Sequence, residues 1–455
     1  MANQLITTSY LTNEALDVLE NNLVIASKVN RQYSSEFGQK DFKIGATVNV
    51  RRPPRYLGTF GPALNVEDTN QTYLPVSINY QFHVDAQFTT ADMVLQMGDF
   101  RPNVLTPAIA AVFNRIDSDT AYFAYQNTAL AGGTYGTPPT AYKTFSDARA
   151  TLMSEAAPRG ETPVAIVHPY AMSSMADALK GLYNPQMSIS ANFPVGLVAK
   201  NTAGFDWFED QNMPVFTTGA GGGSPTLAGI TTSAGGSAIL PTGWAQTGVF
   251  TTTGWSASAA ARVTVGDVLQ VAGVYPVNPQ NRAQYGTALK QFVVVPPAGY
   301  APMNGAASGG GPQFAPATLA TGTFNASTGV YSSNSSGALT LTVAECMITG
   351  GQFQNCVTTS TFTGTPAITV NGGASASTAS TQNIVMFKNA FALAFVDLPL
   401  PRGVQEAARA SSASVGMSLR VVTQYTINND ALPTRFDVAY GISSLYRQQA
   451  YRVVG

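Results

Sequence analysis

From Val76 to Phe88 the chain alternates without interruption: Val76, Ile78, Tyr80, Phe82, Val84, Ala86 and Phe88 fall on one side, Ser77, Asn79, Gln81, His83, Asp85 and Gln87 on the other. Period two is the mark of a strand with one covered face. A partner strand is expected at Thr47–Arg51, ending at Pro53 and Pro54, with Gly58, Gly61 and Pro62 as breakers in between. Two strands alone are marginal in water, so this hairpin arm must lean on something, a neighbouring subunit being one candidate.

Helical spacing flanks the arm. Over Asn13–Arg31, Leu16, Leu19, Leu23 and Ala26 form a narrow stripe with Glu14, Asp17 and Glu20 on other faces. Such a stripe suits a helix laid onto a surface. Val104–Tyr125 carries Leu105, Ile109, Val112, Phe113, Ile116 and Phe123 as a broader stripe, with Pro102 and Pro107 in its opening turns, where proline is tolerated. Further helices are expected at Ser146–Glu155 and at Tyr170–Leu182, where Met172, Met175 and Leu179 point inward. "PVAIVH" between them is a short buried strand, and Ala203–Gly219 is strand, turn, strand. Helices with a modest sheet make an α+β fold.

At "GAGGGSP" the texture changes. Gly219 to Thr381 is rich in Gly, Ser, Thr and Ala, with short strand-like runs at Val263–Val274, Gln291–Val295, Ala338–Val343, Val357–Phe362 and Ala367–Val370. This reads as an inserted all-β lobe, because ordinary strands resume at "NIVMFKNAFALAFVDLPLPRG" and "SLRVVTQYTINNDALPTRFDVAYG". In the last stretch Ile427, Leu432, Phe436, Val438 and Tyr440 are apolar, so the closing strands are expected to be covered by earlier ones or by another chain.

Composition sharpens the picture at one point. Among 455 residues 45% are hydrophobic, but only 11% are Asp, Glu, Lys or Arg, with a net charge of −1; soluble chains usually carry about a quarter. With 23 Phe and 19 Tyr the chain is not disordered, and its apolar runs fall short of the roughly eighteen residues a spanning helix needs. No membrane association and no secretory signal are expected, so the chain reads as intracellular at synthesis. A sparsely charged exterior associates readily, and 24 basic against 25 acidic residues leave no excess for tight nucleic-acid binding.

Catalytic chemistry finds no support. His83 falls on the polar side of its strand, His168 reads as a satisfied structural histidine, and no nucleophile elbow, metal-ligand spacing or phosphate loop is present, so no cofactor is expected. Glu209 and Asp210 point to opposite faces of a strand. Asp117 and Asp119, two apart on a helix, read as solvated. Cys346 and Cys356 are either two small hydrophobes or a disulfide within the β lobe. The densest basic cluster, Arg51, Arg52 and Arg55 in "RRPPR", suits the carboxylates of a neighbouring surface better than phosphate.

The stretches "TVNVRRPPRY", "AGFDWFEDQNMPVFTTG", "VGDVLQVAGVYPVNPQNRAQYGTALKQFVVV", "KNAFALAFVDLPLPRG" and "QYTINNDALPTRFDVAYGI", in this order, resemble the major capsid (coat) protein of tailed bacteriophages with the Hong Kong 97 type fold. The narrower likeness is to short-tailed phages of the Lederbergvirus type, whose coat proteins carry an inserted β domain. The resemblance implies an N-terminal arm over residues 1–42, an extended loop hairpin over 43–90, a spine helix with peripheral and axial core over 91–218, an inserted β-rich domain over 219–381 and C-terminal strands completing the core over 382–455. It also implies hexamers and pentamers in an icosahedral virion shell, scaffolding and portal proteins as partners, and packaged double-stranded DNA contacted without sequence readout. Candidate subunit contacts are Leu16, Leu19 and Leu23 on the arm, Arg51, Arg52 and Arg55 at the hairpin, and Tyr80 and Phe82 on its apolar side. Two alternatives remain: a β-rich surface-exposed binding or adhesive protein, suggested by the Ser/Thr/Gly-rich second half, and a hydrolase pairing His168 with Cys346.

Overall fold

The computed structural model describes residues 23–33, 47–89, 106–179, 204–228, 239–240, 243–257, 261–297, 322–325, 329–359, 365–372, 378–412, 417–428 and 431–455. Its chain divides into two compact units. One takes Met1–Val50, Pro75–Ala121 and Phe391–Leu445; the other takes Arg51–Leu74, Tyr122–Ala390 and Tyr446–Gly455.

The first unit is organised by the 14-residue strand Ala431–Ser444. Tyr80–Thr89 pairs along one of its edges, in a register that sets Tyr80 against Tyr440 and Phe82 against Val438. On the opposite edge lie first Met417–Thr423, with Val421 against Phe436, and then Phe391–Val396, with Phe395 against Tyr440. Glu406–Ser412 completes the five-stranded sheet beyond Met417–Thr423. Strand neighbours on both edges satisfy the backbone of Ala431–Ser444, and apolar residues on both faces bury it, so nine consecutive buried residues close this strand. The covered tail anticipated at Phe436, Val438 and Tyr440 is thus covered by the chain itself; Ile427 stays in the exposed turn before it.

The alternation at 76–88 survives, but as two strands. Among the described residues Thr47–Arg51 pairs only with Tyr73–Ser77, and Tyr80–Thr89 leaves that ribbon for the C-terminal strand. The reason lies at Gly441, where a Cβ would run into the main chain of Ser77 and Ile78. There the chain crosses the long strand closely, Ile78 is buried, and pairing changes partner.

Asp117 and Asp119 are not solvated. Both are buried on the helix Thr106–Asn127. Asp117 accepts the backbone N–H groups of Val24 (2.7 Å) and Ala26 (2.9 Å), capping the short helix Ile25–Lys28. Asp119 accepts the Tyr440 hydroxyl at 2.5 Å and the Arg115 guanidinium at 3.1 Å. Spacing showed correctly that the two carboxylates do not face one another; each is instead enclosed by a different segment of chain. Of the N-terminal helix expected over Asn13–Arg31, Ile25–Lys28 is described, and Leu16 and Leu19 lie outside the described residues.

The second unit holds a mixed sheet in the order Ala131–Gly133, Ala450–Val454, Ala379–Met386, Val164–Val167, Asp206–Glu209, with Val215–Thr217 paired to the start of Ala379–Met386. Helices Tyr142–Ser154 and Pro169–Leu179 supply Phe145, Ala148, Leu152, Met172 and Met175 to a core shared with Val167, Trp207, Val385 and Val453. From this sheet the chain departs at Thr218 and returns at Thr378. The two residues meet there, Thr218 N–H donating to Thr378 O (3.2 Å) and Thr378 N–H to the Thr218 hydroxyl (3.1 Å). Between them is a β-rich excursion of short, mostly antiparallel strands around Leu227, Phe250, Trp255, Leu269, Phe292, Tyr331 and Leu341.

Candidate subunit-contact surface

Of the twelve large hydrophobic side chains exposed among the described residues, six lie on the ribbon between Arg51 and Leu74, which locates a candidate contact surface. They are Tyr56, Leu57, Phe60, Leu64, Val66 and Tyr73, with Phe60, Leu64 and Val66 at 110%, 90% and 78% exposure. Apolar surface gathered in this way marks an interaction site rather than ordinary scatter.

The legs below this tip are ordered. Arg52 N–H donates to Thr72 O (2.8 Å), the Tyr56 and Thr69 hydroxyls lie 3.0 Å apart, and the Glu67 carboxylate accepts the N–H groups of Leu57 and Gly58, both at 2.7 Å. Gly58 sits at φ +67° with open space where a Cβ would stand, so glycine is used for the turn and not for packing.

The three arginines of "RRPPR" take different places. Arg51 is exposed. Arg52 lies over the rings of Tyr446 (5.0 Å) and Trp244 (5.8 Å) of its own chain, and desolvation by that burial lowers its pKa against the opposing field of Glu345. Arg55 is half-buried, its pKa lowered by desolvation and then by Arg52 beside it. Nearby, Lys290 pairs with Glu345 at 3.8 Å. Arg447 donates to Gln246 O (3.1 Å), Ala344 O and Asn127 Oδ1 (3.2 Å), and burial brings its pKa down to about 10, still charged at neutral pH.

In the first unit Tyr80 stacks on Tyr440 with ring centres 5.5 Å apart, and Phe82 is half-buried with the Arg115 guanidinium 5.8 Å from its ring centre. Leu23 is buried. These apolar groups have neighbours in their own chain.

The residues weighed for catalysis are dispersed. His83 is an exposed strand residue with Nδ1 3.0 Å from the Asp85 carboxylate. His168 stacks on Tyr170, and its Nδ1 accepts the Tyr170 N–H at 3.3 Å; desolvation lowers its pKa and favours this neutral acceptor form. Cys346 and Cys356 are free, buried thiols rather than a disulfide, and desolvation raises both pKa values to about 11. Such thiols are poor nucleophiles. Among the described residues no group of three or more His, Cys, Asp and Glu could hold a metal ion, and no helix is long and apolar enough to cross a membrane.

Sequence reasoning missed the side chains that order the ribbon. Nothing in the sequence pattern marks Glu67, or Gln352, which reaches Asp68 O at 2.9 Å. Asn278 and Asn281 are residue types that favour turns, but Arg282 after them carries no pattern of its own.

The family model described as P22 coat protein, gene protein 5, matches residues 1–304. No curated protein matches the chain. Among solved structures, the capsid of Ralstonia phage GP4 is similar at 9% identity and TM-score 0.42, over 100% of this chain and 92% of that one. A Mycobacterium phage Che8 structure is similar at 10% identity and TM-score 0.42, over 95% and 91%. The capsid of cyanophage P-SCSP1u is similar at 8% identity and TM-score 0.40, over 100% and 91%.

Proposed function

Since this chain belongs to the P22 coat protein family and is a phage major capsid protein that packs with its copies into the virion shell, we propose how its parts divide that work. It is an α+β subunit whose role is structural. The finer fold is read as the Hong Kong 97 type, with Thr106–Asn127 as spine helix, the excursion from 219 to 377 as an inserted domain, and the ribbon from Thr47 to Ser77 as the extended loop that docks on a neighbouring copy. The reading rests on one observation: the ribbon presents Phe60, Leu64 and Val66 to solvent at a tip with ordered legs. Arg51, exposed at the ribbon's root, is offered to a neighbour's carboxylate.

Hexamers and pentamers, scaffolding and portal proteins, assembly in the host cytoplasm and DNA contacted without sequence readout complete the proposal. A net charge of −1 suits the last, since DNA affinity scales with phosphates neutralised. Family membership does not favour the surface-binding alternative.

Substitution of Phe60 and Leu64 by Asp tests the ribbon. The exposed sites tolerate charge in the free subunit, so the variant is expected to unfold within a few degrees of the parent. Electron microscopy of the purified variant should show free subunits or capsomers where the parent closes shells; normal shells from it would remove the ribbon from the contact.

A further inference from the structure

The ribbon is held by the excursion as well as by its own hydrogen bonds. Arg282 Nη2 donates to Tyr56 O on the outgoing leg (2.9 Å), and Gln352 Nε2 donates to Asp68 O on the returning leg (2.9 Å). Both acceptors are main-chain oxygens, so the grip acts on the ribbon's path rather than on its side chains. Trp244, also on the excursion, faces Arg52 at the root.

The residue that grips the outgoing leg is itself held in an unusual conformation. Arg282 has φ +57°, in the left-handed region that non-glycine residues seldom occupy. A built turn keeps it there. Asn278 Oδ1 accepts the N–H groups of Gln280 (2.8 Å) and Asn281 (3.3 Å), Asn281 Oδ1 accepts that of Ala283 (2.9 Å), and Arg282 N–H donates to Asn278 O (2.8 Å). The turn is tied in its own right to the helix Tyr142–Ser154, where Asn278 Nδ2 donates to Ser154 O (2.7 Å), and Tyr285 donates to Glu155 just after it. Strain held by neighbours and aimed at one contact points to a purpose for that contact.

We propose that the turn 278–283, together with Gln352, is a clamp that fixes the direction of the ribbon in the unassembled subunit. A free ribbon would have to be ordered when it docks, at an entropic cost charged against association; the clamp moves that ordering into folding. Only its consequence for assembly rests on the reading of the ribbon as a docking arm.

Hydrogen exchange on the full-length unassembled chain tests the clamp. Arg282→Gly removes the guanidinium and also relieves the backbone, so it is expected to keep or raise the unfolding temperature; Gln352→Ala removes the second grip. In the double variant, exchange across residues 53–72, including the Leu57 and Gly58 amides, should accelerate at least about tenfold while the sheet strands Ala379–Met386 and Ala450–Val454 keep their protection. Unchanged ribbon exchange in the double variant, or exchange at the free-chain rate already in the parent, overturns the clamp. Faster exchange with undiminished shell assembly leaves the clamp standing and overturns the ribbon's part in docking.

Discussion

Asp117 replaces main-chain partners that the start of a helix lacks, and that sets the size of its effect. Its two oxygens take the N–H groups of Val24 and Ala26. Asp117→Ala is expected to cost about 2–4 kcal/mol, because each orphaned buried donor costs about 1–3 kcal/mol. Urea unfolding measures it, and Asp117→Asn, which keeps one acceptor, should lose less. Asp267 is a different case. It is buried, accepts the N–H groups of Gly219 (3.1 Å) and Thr264 (2.7 Å), and desolvation pushes its pKa up to about 7, against which Arg452 works only weakly. Between the ordinary carboxylate value and pH 7 the folded chain then holds a proton that the unfolded chain has released, so this group makes stability fall as pH rises through that window and not beyond it. Asp267→Asn carries no such proton. Its stability relative to the parent should therefore increase from pH 4 to pH 7 and level off above; a difference independent of pH would show that Asp267 is ionised throughout.

At the level of strands and helices, the long strand Ala431–Ser444 is where mutation should be felt most. Phe436 is buried between Val84 and Val421, and Phe436→Ala is expected to cost about 3–5 kcal/mol, enough to deplete soluble subunit. Phe82, half-buried at the edge position opposite Val438, should cost less when shortened to alanine, by urea midpoint. That contrast marks what the sequence could and could not convey. Alternation at Tyr80, Phe82, Val84 and Ala86 told which side is covered, and the structure keeps those residues half-buried while Gln81, His83, Asp85 and Gln87 are exposed. It could not tell which edge pairs with which strand, since period two defines faces and not partners. Thr47–Arg51 and Ala431–Ser444 were both eligible, and the close crossing at Gly441 divides the segment between them. The helices Thr106–Asn127, Tyr142–Ser154 and Pro169–Leu179 were legible from spacing. The holders of the ribbon were not, because Arg282 and Gln352 bind main-chain oxygens more than two hundred residues away, a relation that leaves no local pattern.

The whole molecule is poor in charge, with Asp, Glu, Lys and Arg at 11% of its residues, and part of that charge is turned inward. Among the described residues nine charged side chains are buried: Asp117, Asp119, Glu155, Asp210, Arg262, Asp267, Lys290, Asp437 and Arg452. Asp437, for instance, spends its charge on Arg420 at 2.6 Å and Arg435 at 2.7 Å inside its own sheet. Charges used in this way cannot tune contacts between copies. On the reading proposed for the ribbon, its apolar tip carries association. Apolar contacts strengthen on warming over the range near room temperature and are not screened by salt, whereas contacts between exposed charges are largely screened beyond a Debye length of about 10 Å at 0.1 M. A shell can close on many such contacts even if each is weak, because every subunit engages several neighbours at once. Light scattering of purified subunits should accordingly give a critical concentration for assembly that falls between about 10 and 30 °C and that changes by less than about threefold between 0.1 and 0.5 M sodium chloride. A critical concentration that climbs steeply with salt and ignores temperature would assign assembly to the exposed arginines, Arg51 foremost, and demote the apolar tip to a minor part.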